Sequence, residues 1–183
     1  MIFRRMTVAL GAAGLLLLPA VAAQAAGSSD RDIDFLRAAH QANLAEIAGG
    51  RIAFQKTADP AVKKIAADLM RDHIFMDADL SATARKLRIS LPMTPTAEQQ
   101  ALARRYEAAG TDTFDEYYIS TQLAAHREAH EMAAAQAEQG DQEAVTDLAE
   151  KAVPIISRHQ QELRQAAEAK GIAGYAGAGG RAG

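Results

Sequence analysis

Cysteine and tryptophan are absent from this 183-residue chain, aromatic residues make up 5% of it, and there are five prolines. Without cysteine there is no disulfide, no thiolate metal ligand and no lipoprotein attachment point, so stability must come from an apolar core or a bound ligand. β-branched and aromatic side chains are scarce, while Ala, Glu, Gln, Leu, Arg and Lys abound, which predicts helix throughout rather than strand. A basic stripe is also missing: the formal charge is −3, spread along the chain, and this argues against a nucleic-acid partner. There is no G-x-S-x-G turn, and Ser81, Ser120 and Ser157 fall inside helical patterns, so nucleophilic catalysis has no support. The Gly-rich tail has no lysine and no following helix, unlike a phosphate-binding loop.

What is present begins with an export pattern. Residues 1–25, "MIFRRMTVALGAAGLLLLPAVAAQA", combine Arg4 and Arg5, an apolar run from Val8 to Leu18 and the small-residue site Ala23-Gln24-Ala25. The run falls short of the ~20 residues a membrane span needs. We therefore expect a cleaved signal peptide, a periplasmic or secreted protein, and no integral membrane segment afterwards. Loss of Arg4 and Arg5 takes the formal charge from −3 to −5. The remaining length suits one domain.

Local punctuation divides that domain into helices. In "TADPAV" Asp59 is placed to cap and Pro60 to open a helix. "LPMTPTAEQ" is a break with Thr96 or Thr94 as the next cap, "GTDTFDE" offers a capping box from Thr113 to Glu116, and "EQGDQE" stops one helix at Gly140 and starts another at Asp141. The pattern predicts four long helices near 32–58, 60–87, 113–139 and 141–170, with a shorter one near 96–109. Very short turns join the first and second, and the third and fourth, long helices. The expected fold is all-α: a ferritin-like four-helix bundle over 30–171, made of two antiparallel hairpins joined by a long connector with a short extra helix. A flexible Gly/Ala-rich tail is expected over 172–183.

Inward stripes at spacings of three and four carry unexpected polar residues. The second helix has Val62, Ile65, Leu69, His73, Met76, Leu80, Ala84 and Leu87 on one face; the third has Ile119, Leu123, His126, His130, Ala133 and Ala137; the fourth has Val145, Leu148, Ala152, Ile156, His159, Leu163 and Ala166. The first helix shows a bulky stripe that includes Phe54 and, beside it, a small-residue stripe on which Glu46 is the only carboxylate.

The chain resembles an exported bacterial ferritin-like family known as domain of unknown function four-one-four-two. The resemblance rests on "NLAEIAGGRIAFQKTADPAVKKIAADLMRDH", "YISTQLAAHREA" and "VPIISRHQQEL" and covers about Asp32 to Lys170. It implies that Glu46, Asp72-His73, His126, and Pro154 with His159 are recurrent positions. The family usually has an acidic residue before the third-helix histidine, where this chain has Ala125, and His130 is an extra feature here. The family brings no established activity.

Two sharper motifs fail. H-R-E-A-H at 126–130 puts Arg127 where a zinc protease needs its general base. No glutamate stands three residues before an inward histidine, as a di-iron carboxylate centre requires. A histidine-dominated site remains: with a connector that crosses the bundle, Glu46, His73, His126 and His159 converge at one level, with His130 a turn further along. Such a set suits zinc, copper, nickel or ferrous iron. The alternative is a structural or stress-related envelope protein whose inward histidines form a metal-free, hydrogen-bonded polar core.

Overall fold

The computed structural model describes residues 28–172, in which every regular element is a helix and there is no strand. The expected signal peptide, residues 1–25, and the expected tail beyond Ile172 lie outside the described residues. Five helices follow in order: α1 Asp30–Lys56, α2 Pro60–Leu87, α3 Ala97–Ala108, α4 Thr111–Gln139 and α5 Glu143–Ala169. None is long and apolar enough to cross a membrane.

Their ends follow from local chemistry. Asp59 caps α2 through the amides of Ala61 and Val62, with Pro60 in the first turn, and Thr96 closes a capping box with Gln99 at α3. The structure corrects three expected starts. α1 begins at Asp30, because Ser29 and Asp32 form a capping box that the pattern reading passed over. α4 begins at Thr111 after Gly110, with no side-chain cap; the Thr113 hydroxyl instead donates to the Gly110 carbonyl. α5 is capped at Gln142, one residue beyond Asp141. At the other end Gly171, at φ 65°, lets Ile172 N–H reach back to the Ala167 carbonyl. Ile172, placed by the sequence in the flexible tail, is 5% exposed and belongs to the core.

α1 packs on α2 and α4 on α5, while α2 meets α5 and α1 meets α4. Helices α1 and α2 approach closely at Gly50, where a Cβ would lie 2.9 Å from the Ala66 carbonyl oxygen. Asp32, fully buried, ties the start of α1 to the α4–α5 turn: it accepts from Gln136 Nε2 at 2.7 Å and from the amides of Asp141 and Gln142. Burial pushes this carboxyl up, but the donors from Ser29, Gln136 and Asp141 outweigh it and hold it below the usual range.

The core comes in two parts. One end contains Val62, Leu69, Tyr106, Phe114, Tyr118 and Leu163; the other contains Phe35, Leu36, Leu80, Ala133, Val145 and Ile156. Each long helix contributes to both ends, so the order of these residues gives its direction. α1 and α5 run from the second cluster to the first, and α2 and α4 run the opposite way. The connector leaves the second cluster at Ile89 and Leu91 and arrives at the first by Tyr106, crossing the length of the molecule. Between the clusters, each long helix places buried polar side chains: Asn43 and Glu46 on α1, His73 on α2, Gln122 and His126 on α4, and His159 on α5. Phe54, assigned to the inward stripe of α1, is 44% exposed, with the Lys63 ammonium over its ring.

Candidate metal centre in the polar layer

His73, His126 and His159 meet at mid-height. Their ring centroids are 5.6 Å (73 to 126), 5.6 Å (73 to 159) and 5.3 Å (126 to 159) apart, close to an equilateral triangle. Each offers a ring nitrogen such that all three lie within 4.8 Å of one another. A tetrahedral ion held at about 2.0–2.1 Å needs its nitrogens roughly 3.4 Å apart, a closure within reach of small side-chain rotations.

Hydrogen bonds fix one nitrogen of each ring and leave the other. His73 Nδ1 bonds Asn43 Oδ1 at 2.8 Å, His126 Nδ1 bonds the Gln122 carbonyl at 3.0 Å, and His159 Nε2 bonds Asp72 Oδ2 at 3.1 Å. A carbonyl or carboxylate oxygen can only accept, and Asn43 presents its oxygen, so each of these ring nitrogens carries the proton. In a neutral imidazole the other nitrogen then holds a lone pair. Those other atoms, His73 Nε2, His126 Nε2 and His159 Nδ1, are buried and have no hydrogen-bond partner. Leaving such atoms unsatisfied costs about 1–3 kcal/mol each. The outer contacts match the carboxylate or carbonyl that orients metal-bound histidines.

Burial also keeps the rings neutral. It lowers His126 to about 4 and His73 well below the ordinary histidine value, with the neighbouring rings adding to the effect. Burial lowers His159 too, against the pull of Asp72. Asp72 itself is pushed up by burial, but hydrogen bonds from Arg71 and His159 prevail and leave it below the usual carboxylate range. The layer therefore presents three neutral donors with one anion immediately behind them.

The other candidates lie elsewhere. Glu46 is 9% exposed, yet it is not part of the group whose donor atoms lie within 4.8 Å. Burial pushes its carboxyl up to about 8, offset only in part by the Gln122 side chain. His130 is half-buried and also outside the group, because it lies one turn, about 6 Å, further along α4 than His126. His40 pairs with Asp77 at 2.6 Å. Pro154 does not interrupt α5, which continues through it to His159.

Sequence reasoning passed over Asn43 and Gln122 as parts of the site. Both left a signal. Asn43 stands three residues before Glu46 and Gln122 four before His126, each one turn from a residue already singled out.

The sequence profile of the family described as Domain of unknown function (DUF4142) matches residues 17–166. The chain belongs to the DUF4142 family. No curated protein and no solved structure matches this DUF4142 chain.

Proposed function

We propose that this DUF4142 protein is an exported, ferritin-like four-helix bundle that holds one divalent transition-metal ion through His73, His126 and His159. The observation that carries the reading is the set of three buried ring nitrogens with no partner, each on a ring whose other nitrogen is already fixed by an acceptor. Three neutral imidazoles favour a borderline cation such as zinc, copper, nickel or ferrous iron over magnesium or calcium, which take oxygen ligands. Three protein ligands leave a fourth position, the pattern of zinc sites that bind a further small ligand. Asp72, itself paired with Arg71 and Arg158, holds the His159 ring from behind. Export is supported by the N-terminal pattern of residues 1–25, and the ferritin-like arrangement by the two hairpins and the connector that crosses between them.

Titration of the purified mature protein with zinc against a chromophoric chelator tests this. One ion per chain is expected, with His126→Ala and His159→Ala each weakening binding by at least about a hundredfold, since each removes a direct ligand. Binding unchanged in both variants would sink the proposal. The metal-free polar core fits less well, because the inner nitrogens bond neither one another nor any other protein group.

A further inference from the structure

The metal trio borders two cavities, and they are not equivalent. One, of about 290 Å³ and mostly apolar, reaches only His73, on the side where Asn43 and Asp72 also line the wall. The other, of about 530 Å³, lies between α1, α3 and α4 and is lined by both His73 and His126. The larger cavity thus borders two of the three rings, and it has the size of a small-molecule site.

That cavity is also lined by two further residues with buried polar atoms that lack partners, Glu46 Oε2 and Gln122 Oε1. Their residues are 9% and 2% exposed, so neither atom is compensated by bulk solvent. Gln122 links the trio to this cavity wall: its backbone carbonyl holds His126, and its amide nitrogen lies 3.4 Å from the Tyr106 hydroxyl. Tyr106 in turn pairs with Thr121 at 2.6 Å and anchors α3 as the outer wall.

We propose that this cavity binds a small α-hydroxy or α-amino carboxylate whose carboxylate occupies the fourth position of the metal. The inference rests on the metal reading above. Each unpaired function then finds its complement. One carboxylate oxygen takes the ion, and the other accepts a hydrogen bond from Glu46, which burial keeps protonated to about pH 8. The α-hydroxyl or α-amino group donates to Gln122 Oε1, an acceptor only. The ligand's side chain extends toward Leu102, Ala103 and Ala125, where α3 and α4 leave space.

The experiment uses the mature protein loaded with cobalt(II), whose visible spectrum reports the fourth ligand, titrated with lactate and with propionate, which lacks the hydroxyl. Lactate is expected to shift the spectrum at concentrations at least tenfold lower than propionate. Glu46→Leu should weaken lactate binding at least tenfold while cobalt affinity stays within about threefold, and Glu46→Gln, which still donates, should restore most of it. Gln122→Met should abolish the preference for lactate over propionate, with circular dichroism confirming that the variant keeps its helices. Failure of cobalt to bind overturns both the metal reading and this proposal. Bound cobalt whose spectrum does not respond to lactate, responds equally to propionate, or responds unchanged in Glu46→Leu overturns this proposal alone.

Discussion

The histidine trio and Glu46 occupy neighbouring turns of the same buried layer, and burial moves them in opposite directions. It lowers the histidines, His126 to about 4, and raises Glu46 to about 8. The physical cause is one and the same, the cost of carrying charge away from water. The consequence is that both groups are neutral near pH 7, the first as lone-pair donors and the second as an acid with a proton to give. A layer built this way can receive a cation on one side and a hydrogen-bond acceptor on the other.

The largest expected effect tests the Glu46 half. Its carboxyl is raised in the fold, so it stabilises the fold most fully below the unfolded value near 4.5, and that contribution is lost as pH rises toward about 8. Each pH unit in that window is worth about 1.4 kcal/mol, so the loss is on the order of 5 kcal/mol. Glu46→Gln should abolish this decline, and urea melts of both proteins between pH 5 and 9 would measure it. The histidines act with the opposite sign: their values are depressed, so stability falls as pH drops below about 6.5 toward the value of about 4 held by His126. The acid-side fall should remain in Glu46→Gln. Parallel curves for the two proteins on the alkaline side would break the comparison.

A smaller effect probes the trio from behind. Asp72→Asn removes the anion that orients His159 and should lower metal affinity by about ten- to a hundredfold. Arg158→Gln, which removes only a half-exposed partner of Asp72, should leave it within about threefold. The metal titration already described reads both. The smallest effect belongs to Tyr118, whose buried hydroxyl has no partner. Tyr118→Phe should leave stability unchanged or raise it by about 1 kcal/mol in urea melts.

Much of the fold was legible because helix periodicity and caps are local. Asp59, Pro60 and Thr96 announced α2 and α3, and the four long helices lie within a few residues of the expected spans. The failures were long-range. Nothing in the sequence set Asp32 apart, and only the packed structure shows it receiving donors from Gln136 and the α4–α5 turn. Phe54 fitted an apolar stripe but faces out. Of the site, spacing singled out His73, His126 and His159, which the fold brings together. Periodicity also singled out His130 and Glu46, because it resolves the face of a helix and not a separation of one turn. Asn43 and Gln122 escaped notice because neutral amides on a helix usually mark a solvated face, and their role depends on which ring lies opposite.

On the proposed reading three imidazoles, and no carboxylate of the chain, hold the ion. X-ray absorption at the zinc edge of the loaded mature protein tests it most directly. Three imidazole nitrogens at about 2.0–2.1 Å with one additional light-atom ligand are expected. A shell dominated by oxygen, or one still showing three imidazoles in a His73→Ala, His126→Ala double variant, would contradict it.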